Sequence, residues 1–232
     1  MQNLGFSTGC FVKSGLTQRE TLKLIASYGC KTVELSFLRV NELLNRPMPG
    51  PKDLDPFDYI SIHAPKYDYG KNETTKKILA TIRKFWQTIR LPGLVIFRPD
   101  TVLDFSVFDE GIELPIAFEN MDVRAESFRL VPQHQELASE FPGASMVLDV
   151  QHAYTNDPTG KLTAEFYRFL ENRILQIHLS GYNNGHAPLF RTKQQEIIRT
   201  IQNPTIPIII ESPLAPDELA QERDYVLKIL AE

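Results

Sequence analysis

The chain has 232 residues, and its 25 Lys plus Arg against 29 Asp plus Glu give a formal net charge of −4. That length suffices for one large core, so a single domain over residues 1–232 is expected, and the acidic balance speaks against a protein that grips a phosphate backbone without regard to sequence. No apolar run reaches membrane-spanning length and residues 1–11 lack a basic segment followed by an apolar one, so a soluble, cytoplasmic protein with no membrane partner is expected.

A first strand is expected over residues 4–7, followed by the loop Thr8-Gly9-Cys10-Phe11. Thr17 with Glu20 three residues on reads as a capping box, and Leu22, Leu24 and Ile25 supply an apolar stripe that Gly29 ends. Residues 32–35 form strand two, and a short helix over 40–44 is shut off by Pro47 and Pro49. Strand three covers 59–63, and a long helix runs from about 73 to 90. Strand four covers 94–97. The interval to strand five, at 115–118, is the shortest in the chain, so its helix around 105–109 must be brief. An amphipathic segment at about 132–140 carries His134, which reads as a surface residue. Strand six at 145–149 precedes a helix over 163–171, and strand seven at 174–179 runs into a Gly/Asn-rich loop. A helix over 193–201, strand eight at 206–210 and a last helix over 217–230, opened by Pro216, complete the chain. The only cysteines, Cys10 and Cys30, have no CxxC spacing and are expected as buried, reduced thiols.

Eight short strands, apolar on consecutive positions and alternating with helices, belong to an all-parallel sheet covered on both faces. A count of eight favours a closed (β/α)8 barrel over an open flavodoxin-like sheet, which would leave two or three strands unexplained. In such a barrel the residues at the C-terminal strand ends converge. Here Glu119, Asp149, His178 and Glu211 close strands five to eight. Three carboxylates and an imidazole packed together would repel and raise one another's pKa values, and one divalent cation relieves most of that conflict. Mn²⁺, Co²⁺, Mg²⁺ and Zn²⁺ all suit this donor set. His63, His152 and His186 are expected on the same face, with His152, in a loop three residues after Asp149, placed to touch a substrate oxygen or relay a proton. Two glutamates around one ion fit proton removal and return beside a polarised carbonyl, as in the isomerisation or epimerisation of a keto sugar or polyol.

Several segments taken in order resemble the xylose-isomerase-like barrel superfamily, which includes sugar isomerases and epimerases, inosose dehydratases and endonuclease IV. They are Gly5-Phe6-Ser7-Thr8-Gly9, Val33-Glu34-Leu35, Ile62-His63-Ala64-Pro65, Phe118-Glu119-Asn120, Leu148-Asp149-Val150-Gln151-His152, Ile177-His178-Leu179-Ser180 and Ile210-Glu211-Ser212. The resemblance spans essentially the whole chain. It implies one metal on Glu119, Asp149, His178 and Glu211, an acid/base pair in Glu119 and Glu211, and substrate contacts from His152 and Glu34. The endonuclease-like members hold three zinc ions, and His63, His152 and His186 match part of that larger set. The fourth strand departs from it: Arg98-Pro99-Asp100 stands where those enzymes have His-Pro-Gly, and Asn184-Gly185-His186 replaces an Asp-x-His pair. One metal is therefore expected. Arg98 at that strand end would place a positive fork over the site, suited to a carboxylate or monophosphate on a small substrate. The alternatives are a hydrolase of abasic DNA and a metal-binding barrel without turnover; superfamily members occur as monomers and as homo-oligomers.

Overall fold

A computed structural model describes residues 3–89, 91–109 and 113–232. The eight expected strands are present as β1 (Leu4–Ser7), β2 (Thr32–Ser36), β3 (Tyr59–His63), β4 (Val95–Phe97), β5 (Ile116–Glu119), β6 (Ser145–Asp149), β7 (Ile174–Leu179) and, after a two-stranded hairpin β8 (Gly181–Tyr182) and β9 (His186–Ala187), β10 (Ile208–Ile210). All barrel pairings are parallel and the ring closes through β1 and β10, so the architecture is a (β/α)8 barrel. The helices are α1 (Gln18–Ser27), α2 (Val40–Asn45), α3 (Pro51–Leu54), α4 (Glu73–Trp86), α5 (Val131–Glu140), α6 (Val150–Asn156), α7 (Lys161–Leu170), α8 (Leu189–Thr192), α9 (Gln195–Arg199) and α10 (Leu219–Leu230). Arg90, the expected end of the long helix, lies outside the described residues. Among the described residues no helix is long and apolar enough to cross a membrane.

Local chemistry starts and stops these elements. The Thr17 hydroxyl accepts from Glu20 N while the Glu20 carboxylate accepts from Thr17 N, completing the capping box of α1. Asn72 caps α4 through Thr75 N, and Ile78, Leu79, Ile82 and Phe85 form the stripe that the helix buries. Between β4 and β5 the described residues form two 3₁₀ turns, Pro99–Thr101 and Phe105–Phe108, in place of a longer helix, as the short interval demands.

Two expectations are corrected. His134 is not a surface residue: it is 4 % exposed, its Nε2 lies 3.0 Å from Phe128 O, and its ring meets the edges of Phe128 and Phe166. Val131, His134 and Leu137 are the buried positions of α5, a three-residue spacing that puts all three on one helix face. His152 is not in a loop. Asp149 caps α6 directly, its Oδ1 accepting from His152 N at 2.8 Å, so strand six passes into a helix with no intervening turn.

The strand register sorts the barrel interior. Side chains alternate across a strand and partners share a face, so the pairs Glu34↔Ser61, His63↔Ile96, Ile96↔Ala117, Glu119↔Val147, Val147↔Gln176, Asp149↔His178 and His178↔Ile209 define one inward set. One side of that interior is apolar, with Leu94, Ile96, Ala117 and Val147 packed as a cluster of their own. The other side carries Tyr59, Ser61, Glu34 and Gln176, where barrels ordinarily place branched aliphatic side chains. The main apolar core, including Phe6, Ile25, Ile60, Phe97, Phe166 and Val226, is a separate cluster.

Candidate metal centre

At the C-terminal strand ends the acids and imidazoles meet. Glu119, Asp149 and His178 bring one ligand atom each within 4.8 Å of the others, as do Glu34, His178 and Glu211. The four residues read from the sequence as a ligand set thus fall in two triads that share His178. A third triad, Asp149, His152 and His186, shares Asp149 with the first.

His178 is the hub. It is wholly buried. Its Nδ1 faces Glu119 Oε2 at 3.4 Å and Glu211 Oε2 at 3.3 Å, and its Nε2 lies 2.8 Å from Glu34 Oε2. Three atoms in this cluster, His178 Nδ1, Asp149 Oδ2 and Glu34 Oε1, are buried without a hydrogen-bond partner among the described residues. Orphaned donors and acceptors at such depth are costly, and a lone pair on each, set among carboxylates, is what a divalent cation requires. The donor set therefore fits a metal ion, and the arrangement is consistent with a metal-dependent catalytic barrel.

The two glutamates facing His178 differ in company. His63 Nε2 sits 3.3 Å from Glu119 Oε1 while its Nδ1 reaches Ala64 O at 3.0 Å. Burial works against the charged His63 ring, but Glu119 outweighs it and raises the imidazole to about 9. Burial likewise opposes the charged form of Glu119, yet His63, His178 and His152 hold that carboxyl well below its ordinary range. Glu211 is raised to about 8 by burial, opposed by His178 and reinforced by Glu34 and Asp149. Two carboxyls in one shell are thereby driven to opposite protonation preferences.

Neighbouring residues brace the cluster. Asn120 clamps the strand-six end, its Oδ1 accepting from Asp149 N at 2.8 Å and its Nδ2 donating to Asp149 O at 2.9 Å. The Asn120 carbonyl accepts from His152 Nδ1 at 2.9 Å, and Nε2 of that ring has no hydrogen-bond partner among the described residues. His186 packs edge-on to His152 with centroids 5.5 Å apart, and Ser180 Oγ lies 2.8 Å from its Nδ1. Glu34, expected beside a substrate, has no exposed surface; what it touches is His178. Arg98 is held by Asp100, with Nε to Oδ1 at 3.2 Å and a second nitrogen to Oδ2 at 3.0 Å, and Arg124 is engaged by Asp122. Sequence reasoning gave no role to Asn120, Gln176 or Ser180. Gln176 had a signal, since it lies two residues before His178 on one strand and must share its face.

A cavity of about 630 Å³, lined among others by Thr8, Gly9, Phe11, Ser36, Phe37 and Met48, opens beside the ends of β1 and β2. Ser36 is the cross-strand partner of His63, so this space begins one strand from the metal cluster. Its size is ordinary for a small-molecule site.

Neither the known protein-family models nor the curated proteins include a match to this sequence. Solved structures do. Endonuclease IV from Thermus thermophilus superposes with a TM-score of 0.67 at 18 % identity, covering 99 % of each chain. A D-psicose 3-epimerase crystallised in the presence of D-fructose gives 0.63 at 9 % identity over 100 % of both chains. An AP endonuclease of family 2 from Brucella melitensis gives 0.64 at 12 % identity, covering 97 % of this chain and 99 % of its own. The chain shares a barrel fold with all three. At these identities the likeness is one of fold, and a fold of this kind hosts several chemistries.

Proposed function

We propose that this protein is a divalent-metal-dependent isomerase or epimerase of a small keto sugar, polyol or sugar phosphate. The observation that carries the reading is the placement of Glu119 Oε2 and Glu211 Oε2 at 3.4 and 3.3 Å from the same His178 nitrogen, from strands on either side of β6 and β7. Glu119, Asp149, His178 and Glu211 would hold one ion, which, when bound, polarises a substrate oxygen and so acidifies the adjacent carbon. Around that carbon the chain itself supplies two carboxylates with different partners. Glu119 is tied to His63, whereas Glu211 has no second imidazole of its own among the described residues and is the freer of the two to move a proton. His152, whose Nε2 has no hydrogen-bond partner among the described residues, and His186 would hold substrate hydroxyls, and Arg98, already oriented by Asp100, would meet an anionic group. The cavity beside β1 and β2 supports a small substrate.

The test is solvent-deuterium incorporation into ketoses, inososes and their phosphates with Mn²⁺ or Co²⁺ present, for the wild type, Glu119→Gln and Glu211→Gln. Exchange at a carbon next to the carbonyl, reduced at least ~100-fold in either variant, is the expected result. Full activity in Glu211→Gln would overturn the mechanism.

A second reading, a phosphodiester hydrolase acting on abasic DNA, is favoured by one observation: the Asp149, His152 and His186 triad would seat another ion next to the first, and paired ions suit phosphoryl chemistry. The engagement of Arg124 by Asp122 and the net charge of −4 count against it. More than one metal per chain, with nicking of an abasic oligonucleotide, would select this reading instead.

A further inference from the structure

The polar side of the barrel interior forms one connected chain. Tyr59 OH donates to Gln176 Oε1 at 3.0 Å, and Gln176 Nε2 donates to Glu34 Oε2 at 3.0 Å. The same carboxylate oxygen lies 2.8 Å from His178 Nε2 and accepts from Ser61 Oγ at 3.4 Å. Gln176 can present only its NH₂ to Glu34, because its carbonyl there would face a carboxylate. That fixes the next link. Gln176 Nε2 also lies 2.8 Å from His178 Nε2, and an amide NH₂ accepts nothing. A lone pair on Nε2 would face the Glu34 carboxylate at 2.8 Å, so Nε2 carries the proton and donates it to Glu34, the single acceptor beside it among the described residues. In the neutral ring that a metal requires, the lone pair then falls on Nδ1, the atom that faces Glu119 and Glu211.

A charged side chain with no exposed surface needs a reason. The fold does not supply one, since the opposite side of the same interior is filled by Leu94, Ile96, Ala117 and Val147. We propose that Glu34 is the positioning residue of this centre: its carboxylate, sealed beneath His178, locks the imidazole in the Nε2–H tautomer and turns Nδ1 toward the metal ligands as a strengthened donor. A carboxylate behind a ligating histidine fixes the ring and raises its basicity, and removing such a partner typically weakens metal affinity about 10–100-fold. This rests on the metal-binding part of the reading above and adds to it which atom binds and what holds it.

Two measurements test the inference. Zinc-loaded wild-type protein with ¹⁵N-labelled histidine should show His178 protonated at Nε2, with the metal-bound shift on Nδ1. Its Nε2 proton should resist exchange. An unprotonated Nε2 overturns the proposal without any variant. Competition with a chelator then compares Zn²⁺ and Mn²⁺ affinities of the wild type, Glu34→Gln, Glu34→Asp and Tyr59→Phe. Glu34→Gln keeps the shape and removes the charge, so its affinity should fall about 10–100-fold with kcat/KM falling in step, and Glu34→Asp should restore part of it. Tyr59→Phe disturbs the same layer without touching the carboxylate and should bind metal as the wild type does. Equal affinity in Glu34→Gln, or an equal loss in Tyr59→Phe, would make Glu34 a structural residue only. Failure of the wild type to bind either ion would overturn the metal reading itself, and this proposal with it.

Discussion

Two histidines of this chain are buried to nearly the same depth and behave in opposite ways. His178 is 0 % exposed and His134 is 4 % exposed, so desolvation works against the charged form of each. Around His178 stand Glu211, Glu34 and Glu119, and their combined field overcomes burial and raises the imidazole well above its ordinary value. Around His134 stand the rings of Phe128 and Phe166 and one backbone carbonyl, and burial pulls it down to about 4. Burial alone therefore does not mark a functional histidine. The partners separate the two: carboxylates face the ring nitrogens of His178, as a candidate metal cluster requires, whereas aromatic edges and a carbonyl enclose His134, as in a core.

The largest effect expected from this contrast is at His178. His178→Gln should lower Zn²⁺ or Mn²⁺ affinity by more than ~100-fold, since it removes the residue that joins the Glu119, Asp149 pair to the Glu34, Glu211 pair. The equivalent change at His134 should leave metal affinity within about twofold. Chelator competition on both variants checks this, and a large loss in the His134 variant would mean that the two environments are coupled through the barrel wall.

Next in size is a pH effect on stability. His134 takes a proton in the unfolded chain below about pH 6.5, while the folded protein refuses it until about pH 4. The unfolded state binds more protons across that window, so His134 makes stability fall as the pH drops from 6.5 toward 4, by about 3 kcal/mol in all. His134→Gln keeps a donor for Phe128 O and removes the titration. It should be less stable than the wild type at about pH 8 by about 1 kcal/mol and the more stable of the two near pH 4. Urea unfolding of both proteins across the range measures the difference, and a gap that does not change with pH would show that His134 is solvated and titrates normally.

The contrast also shows what a sequence makes legible. Glu119, Asp149, His178 and Glu211 could be read because each ends an apolar run, and a parallel barrel gathers such ends onto one rim. The brief turn before β5 could be read from the length of the interval. His134 could not be placed by polarity alone, because a histidine on an amphipathic helix suits either face; the spacing with Val131 and Leu137 was the usable signal. Glu34 was visible as an acid in a strand, but its service to His178 depends on a contact across 144 residues. His152 looked like a loop residue because an Asp that ends a strand also caps a helix, and nothing local separates the two roles.

The smallest effect isolates what the aromatic wall contributes to the His134 side of the contrast. Phe166 has no exposed surface, and its ring meets that of His134 nearly at right angles, with centroids 5.5 Å apart. Phe166→Leu keeps an apolar side chain but loses that edge contact and some volume, which should cost about 1 kcal/mol at about pH 8. If the phenyl ring is what excludes water, the variant lets solvent closer to the imidazole and raises its folded-state pKa toward 6.5. The stability slope between about pH 6.5 and 4 should then be shallower than in the wild type, so the loss measured near pH 4 is smaller than the loss near pH 8. An unchanged slope would assign the desolvation of His134 to the other groups packed around it rather than to this ring.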